Sequence, residues 1–142
     1  MILLGNKFPF KITIPEGGDI QMPVISSDHL PHATVVNLHM ADHYAYVRAN
    51  QIFKQFNVTM QQAMILRYLY LRNGEHTNQK DIEHFMGISN PSVTSLMKTM
   101  VGKDFIRRMP DRSDARSYLL ELTARGVAIQ DDINAAFIQL ES

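Results

Sequence analysis

Apolar residues of this chain recur with a helical period over most of its length and with a strand period in two short stretches. From about Pro31 to Phe56, an apolar stripe of Val36, Met40, Tyr44 and Val47 predicts a long first helix. Helical periods return in later segments, but a period of two replaces them at 105–109 and 116–122. The pattern therefore predicts a mostly helical α+β fold that contains one β-hairpin.

Polar residues whose side chains can cap a helix stand where each later helix should begin. The predicted N-caps are Thr59, Thr77, Ser89 and Thr123. Gln62 follows Thr59 by three residues and completes a capping box. Asn73 and Gly74 should end that helix, and Gly87 should form the tight turn before Ser89. The last helix is expected to run unbroken from Thr123 to about residue 141.

The predicted core is the set of apolar positions on the inner face of each helix. In the third helix these are Ile82, Phe85 and Met86. In the fourth they are Val93, Leu96, Met97, Met100 and Val101, and in the last they are Ile129, Ile133, Ala136, Phe137 and Leu140.

The first 27 residues differ from the rest, because apolar and polar residues alternate and three prolines interrupt them. They predict an extended arm that packs on the body or on a partner subunit, with a partly ordered tail as the alternative. We expect residues 1–30 to form this arm. Residues 31–142 are expected to form one domain, with its first and last helices at about 31–56 and 123–141.

Composition excludes several classes of protein. There is no cysteine, so thiolate catalysis, disulfides and thiol redox sensing are absent. No apolar run is long enough to cross a bilayer, and the first residues are too short for a signal-peptide core, so we expect a cytoplasmic protein without membrane contact. The formal net charge is zero, but residues 77–126 hold eight Lys/Arg against six Asp/Glu, which slightly favours a nucleic-acid partner.

Two helices joined by a glycine turn and followed by a basic hairpin make a winged helix-turn-helix. A helix fits the major groove of DNA, provided that its outer face is small and polar. In the helix predicted at 89–101, that face holds neither an acid nor a large apolar residue. Its outward and flanking positions are Asn90, Pro91, Ser92, Thr94, Ser95, Lys98 and Thr99. A solvated face would more usually carry Glu, Lys and Arg, so the pattern favours a contact surface.

The hairpin predicted at 105–122 supplies arginines beside that helix. Arg112 stands at its polar tip and Arg116 follows the tip at the start of the second predicted strand, where a guanidinium can enter a narrow minor groove. Asp114 is positioned to orient the Arg116 side chain. Arg107 and Arg108 are weaker candidates, and a local surface ion pair is the alternative for Asp114 and Arg116.

The run from Val58 to Gly126 resembles the MarR (multiple antibiotic resistance regulator) family. The matching pieces are Val58-Thr59 with Gln62, Thr77-Asn78-Gln79, Gly87-Ile88-Ser89, Val93-Thr94, Pro110-Asp111 with Asp114 and Arg116, and Leu122-Thr123-Ala124-Arg125-Gly126. The family usually has glycine just before the wing strand, where Asp104 stands here, and that position should adopt a left-handed conformation. Many members carry a basic residue where Ser95 stands.

This resemblance implies a homodimer, held by the helices at the two ends of the chain, that binds pseudo-palindromic double-stranded DNA. It implies a repressor that a small-molecule effector releases, without a cofactor. It assigns the DNA contacts to Asn90, Ser92, Thr94, Ser95 and Lys98 of the recognition helix and to Arg116 of the wing.

Metal binding, catalysis and protein binding are the alternatives to this function. His39 and His43, four residues apart on one helix face with His29 and His32 nearby, could bind zinc or nickel, but surface or interface histidines have the same pattern. No phosphate loop, nucleophile elbow or His-Glu-x-x-His motif is present, so we expect no enzyme. A winged helix that binds protein, with weak or no affinity for DNA, is the main alternative.

Overall fold

The computed structural model describes residues 33–142, and the arm predicted at 1–30 lies outside them. The elements are α1 (Ala33–Phe53), a 3-10 turn (Lys54–Phe56), α2 (Met60–Arg72), α3 (Gln79–Met86), α4 (Asn90–Gly102), β1 (Ile106–Pro110), β2 (Tyr118–Leu122), α5 (Ala124–Ala128) and α6 (Gln130–Glu141). This is the mostly helical winged helix-turn-helix that the pattern predicts. None of the helices in the described range is long and apolar enough to cross a bilayer.

The chain divides between Arg48 and Ala49 into two units, and α1 runs through the boundary. In the part of α1 before the boundary, Met40 and Tyr44 are buried, and Val36 and Val47 are partly buried. The stripe predicted for this helix is therefore confirmed. Its opposite side exposes Val35 and Leu38, which are 69% and 72% accessible.

The second unit, Ala49–Ser142, has one apolar core to which every element except α5 contributes a buried or partly buried side chain. Its fully buried side chains include Phe53 of α1, Ile65 and Leu66 of α2, Ile82 of α3, Val93, Met97 and Met100 of α4, Phe105 and Ile106 at the hairpin, and Ile133 of α6. Phe53 meets Phe137 edge to face, with ring centroids 5.0 Å apart. Burial of this kind, at roughly 25 cal/mol per Å² of apolar surface, is the main force holding α4 and the hairpin in place.

Local capping sets the boundaries of α2 as predicted. The Thr59 hydroxyl accepts a hydrogen bond from the amide of Gln62, and the Gln62 side chain accepts one from the amide of Thr59. At the other end Asn73 adopts the left-handed conformation, with φ of 41°, and Gly74 follows with φ of 85°. The chain then leaves the helix because the left-handed residue terminates its hydrogen-bond ladder.

Thr77 is not the N-cap of α3, contrary to the prediction. Asn78 caps the helix instead and forms a reciprocal capping box with Asp81. Thr77 is buried, its carbonyl accepts a hydrogen bond from the amide of Leu120, and its hydroxyl accepts one from Arg72 Nε. The cap therefore moved by one residue because tertiary contacts occupy the threonine.

Two residues assigned to the core are exposed. Phe85 is 41% accessible and stacks on Tyr68 at 4.3 Å, and Val101 is 39% accessible. Ser89 occupies the N-cap of α4, but its hydroxyl makes no capping bond and lies 3.2 Å from that of Ser92. Phe85 and Val101 lie at the margins of the apolar stripes, where helical periodicity specifies burial least.

The last helix is two helices rather than one. α5 follows the predicted N-cap, Thr123, and ends before Ile129. The Thr123 hydroxyl accepts a hydrogen bond from the amide of Gly126. α6 then continues to Glu141, with Ile133 and Ala136 buried and Ile129, Phe137 and Leu140 partly buried. The predicted apolar stripe is confirmed across the interruption.

Backbone conformation fixes the junction of α4, the hairpin and α5. Asp104 has φ of 59°, the left-handed conformation expected where the family usually has glycine. The Thr123 hydroxyl donates to the carbonyl of Asp104, and the Thr123 amide donates to the carbonyl of Phe105. Gly126 approaches that same Phe105 carbonyl so closely that a Cβ at residue 126 would collide with it. The hairpin therefore starts against the first turn of α5.

Candidate nucleic-acid interface

The two sides of α4 have opposite character. Val93, Met97 and Met100 face inward and are fully buried. The outer residues are all exposed, namely Asn90, Pro91, Ser92, Thr94, Ser95, Lys98 and Thr99. The protein does not cover this face anywhere in the described range, so the predicted contact residues Ser92, Ser95 and Lys98 are accessible to a partner.

Side chains of α3 hold two of the predicted contact residues. Asn90 Nδ2 donates to Glu83 Oε1 at 2.6 Å, and Gln79 Nε2 donates to Thr94 Oγ1 at 2.8 Å. Gln79 Nε2 is also 3.4 Å from Glu83 Oε1. The outer face of α4 carries no acid of its own, but the fold brings the Glu83 carboxylate to its N-terminal end. This neighbour lies on α3, so the pattern of α4 alone does not predict it.

The hairpin pairs residues so that one of its arginines is neutralised. β1 and β2 are antiparallel, and Arg107 is opposite Glu121. The Arg107 guanidinium contacts Glu121 Oε2 through both Nε at 3.1 Å and an Nη at 2.8 Å. This ion pair leaves Arg107 a poor candidate for contact with phosphate.

The wing tip is built from two turns that aspartates close. Asp111 Oδ1 accepts hydrogen bonds from the Ser113 hydroxyl at 2.6 Å and from the Ser113 amide at 2.8 Å. These two bonds hold the pKa of Asp111 below its ordinary value. Asp114 Oδ1 accepts from the backbone amide of Arg116 at 3.0 Å. The tip is thus ordered by its own side chains.

Arg116 lies in this tip and not in the second strand, where the period of two had placed it. Asp114 holds the backbone of Arg116 rather than its guanidinium, which corrects the expected role of that aspartate. Within residues 33–142 neither Arg112 nor Arg116 forms an ion pair, and both are exposed. Their charges are therefore available to an anionic partner.

A groove runs between the start of α4, α3 and the wing. Asn90 and Arg116, two of the predicted contact residues, line it together with Arg108, Lys80, Glu83 and Asp114. Arg112, Ser92, Ser95 and Lys98 do not line it. Lys80 was not singled out from the sequence. Its place on α3, one turn before Glu83 and beside Gln79, is the signal that would have pointed to it.

Only two of the four histidines given as an alternative metal site lie within the described residues. His39 and His43 lie on α1, whereas His29 and His32 are outside the described residues. Among residues 33–142 no group of three or more His, Cys, Asp or Glu side chains is arranged to hold a metal ion. The ring of His43 is edge-on to Tyr44 at 6.5 Å, and metal binding by His39 and His43 stays a prediction.

Comparison with known proteins gives one family. The model of the MarR family matches residues 58–118, which run from the start of α2 into β2. The chain is 26% identical over 88 residues to the HTH-type transcriptional regulator MgrA of Staphylococcus aureus. That match covers 62% of this chain and 58% of the relative's length.

Solved structures share the fold over a larger part of the chain. The S. aureus MepR–DNA complex superposes with a TM-score of 0.72 at 26% identity, over 80% of this chain and 81% of that one. S. aureus MepR in its DNA-binding conformation superposes with a TM-score of 0.68 at 27% identity. That superposition covers 76% of this chain and 79% of the MepR chain. The transcription regulator MarR of Oenococcus oeni PSU-1 superposes with a TM-score of 0.68 over 77% of this chain and 81% of that one. At 23% identity, this match supports the fold alone.

Proposed function

We propose that this chain, which is similar to the MarR family of winged-helix regulators over residues 58–118, binds double-stranded DNA and regulates transcription. The observation that carries the proposal is the uncovered outer face of α4. Seven outward positions between Asn90 and Thr99 are small, polar or basic and exposed, as a helix that enters the major groove requires. The similarity to a MepR–DNA complex supports the same function.

In this proposal, α4 and the wing have separate tasks. Asn90, Ser92, Thr94, Ser95 and Lys98 contact base edges and phosphates in the major groove. Arg112 and Arg116 reach the adjacent backbone and minor groove, where their unpaired guanidinium groups replace counterions. Base edges supply sequence information and phosphates supply salt-dependent affinity.

We also propose that the protein acts as a homodimer on a pseudo-palindromic operator, as a repressor that a small molecule releases. Exposed apolar residues near the C-terminus, Val127 and Ile138, are 50% and 61% accessible and support a contact with a second copy. A two-fold symmetric dimer would place its two α4 helices on half-sites about one helical turn apart.

A random DNA pool, selected by binding to the full chain, tests this function. We expect enrichment of a palindrome whose half-sites are separated by about one helical turn. Fluorescence anisotropy at low and high salt should then show affinity that falls with salt, because bound phosphates release counterions. If no sequence is enriched and no salt-dependent binding occurs, DNA binding is ruled out and the protein-interaction module becomes the better reading.

A further inference from the structure

We propose that Glu83, a residue of α3 rather than of the recognition helix, sets base specificity by orienting the Asn90 amide toward adenine. This inference rests on the proposed DNA binding and adds a positioning residue to it. Glu83 Oε1 lies 2.6 Å from Asn90 Nδ2, the shortest of the hydrogen bonds between α3 and α4 given above.

The chemistry of the two groups fixes which way the amide faces. An ionised carboxylate has no hydrogen to donate and can only accept. Asn90 must therefore turn its nitrogen, and not its oxygen, toward Glu83. A free asparagine amide has no such preference, since its two ends are nearly equal in size and both form hydrogen bonds.

Once one N–H of Asn90 is bound to Glu83, the amide retains one N–H and its oxygen. Asn90 is exposed, and no hydrogen bond from residues 33–142 engages its Oδ1. One donor beside one acceptor is the pair that an asparagine presents to adenine, where it donates to N7 and accepts from N6 in the major groove. The orientation that Glu83 imposes is thus complementary to adenine.

Gln79 holds the carboxylate in position. Its Nε2 lies 3.4 Å from Glu83 Oε1 and 2.8 Å from Thr94 Oγ1, so that it bridges α3 to the next outward residue of α4. Gln79 and Glu83 are four residues apart on α3, which places both side chains on the side that meets α4. The carboxylate therefore has a fixed place relative to Asn90.

The main alternative is that Glu83 acts only through its charge, by repelling phosphates. Glu83→Gln separates the two ideas, because glutamine loses the charge but keeps an oxygen that can accept from Asn90. Glu83→Ala loses both. A charge effect changes both variants alike and changes all DNA sequences alike, whereas orientation affects Glu83→Ala and only one base position.

The experiment measures the affinities of wild type, Glu83→Ala, Glu83→Gln, Asn90→Ala and the Glu83→Ala/Asn90→Ala double variant by anisotropy. The probes are the selected operator and operators with single base-pair replacements. The position at which Asn90→Ala loses its preference identifies the contacted base, which we expect to be adenine. Thermal unfolding followed by circular dichroism checks that each variant is folded.

We expect Glu83→Ala to lower the preference for adenine at that position by about three- to tenfold, the cost of leaving one side chain unordered before binding. Glu83→Gln should keep most of the preference. In the Asn90→Ala background, Glu83→Ala should have no further effect on it, since its action passes through Asn90.

Three results would overturn the inference while leaving DNA binding intact. They are a contacted base other than adenine, an unchanged preference for adenine in Glu83→Ala, or a loss of that preference on Glu83→Ala that is the same in the wild-type and Asn90→Ala backgrounds. A wild-type protein that selects no DNA sequence would overturn the proposed function, and this inference with it.

Discussion

The two faces of α4 are held in place by different forces. On the inner face, Val93, Met97 and Met100 are each 0% accessible and are fixed by the core around them. On the outer face, Asn90 and Thr94 are held by exposed hydrogen bonds from α3, while Ser95 and Lys98 make no side-chain bond within the described residues. Exposed bonds of this kind contribute little to folding. The helix therefore separates stability from the proposed recognition of DNA, and substitutions on its two faces should affect different measurements.

The largest effect is expected on the inner face. Met97→Ala removes a fully buried side chain between α4 and the rest of the core, and it should lower the free energy of unfolding by about 2–5 kcal/mol. Ser95→Ala, two residues earlier on the outer face, is the matched control and should change it by less than about 0.5 kcal/mol. Urea denaturation measures both. Similar losses in the two variants would show that the faces are not separated as described.

The next effect tests the inner side of the hairpin, where it begins against α5. Gly126→Ala adds a Cβ that collides with the Phe105 carbonyl, so we expect a loss of about 1–3 kcal/mol as the backbone shifts. Gly102→Ala is the control, because a Cβ there has no atom within 4 Å. It should leave the unfolding free energy unchanged or raise it by up to about 1 kcal/mol through helix propensity. An unaffected Gly126→Ala would mean that the close approach is not required.

Features that depend on neighbours in the sequence were predictable, and features that depend on neighbours in space were less so. The Thr59 capping box and the Asn73–Gly74 stop follow from a few adjacent residues, the left-handed Asp104 follows from the family resemblance, and all three are confirmed. The predicted N-cap of α3 was wrong because Thr77 is bound by Arg72 at the end of α2 and by Leu120, which is distant along the chain.

The candidate interface shows the same limit. The outward face of α4 follows from helical geometry, and its exposure agrees at every position named. The Glu83–Asn90 bond could not be read from α4, because it depends on the angle at which α3 and α4 meet. The role expected of Asp114 was wrong for a related reason, since its carboxylate reached the nearer backbone amide of Arg116 instead of the side chain.

A smaller effect is expected from the arginines of the hairpin. Within residues 33–142 Arg116 has no ion-pair partner, whereas Arg107 is paired with Glu121. Arg116→Ala should weaken operator binding by about tenfold, as expected for the loss of a charged hydrogen bond. It should also lower the slope of log affinity against log salt by about one. The loss should be greatest at A·T-rich half-sites.

Arg107→Ala is the matched control for Arg116→Ala. Its guanidinium is bound to Glu121, so it should leave both affinity and salt slope nearly unchanged. Anisotropy titrations across a salt series measure the two variants together. Equal effects at the two positions would remove the distinction between the tip and the strand, and no effect of Arg116→Ala would remove the wing from the mechanism.

The smallest effect concerns the turn that carries the tip. Hydrogen bonds from the Ser113 hydroxyl and amide lower the pKa of Asp111, so the charged form stabilises the fold above the unfolded pKa. This contribution is lost as pH falls below about 4, through the lower pKa of the folded state. Ser113→Ala removes the hydroxyl donor and should raise the midpoint of Asp111, which a carboxyl-carbon NMR titration measures. Ser117→Ala, on the same loop and with a hydroxyl that forms no hydrogen bond within residues 33–142, should leave that midpoint in place. If it instead moved the midpoint as far as Ser113→Ala did, the tip would be ordered by the loop as a whole, and not by the Asp111 turn.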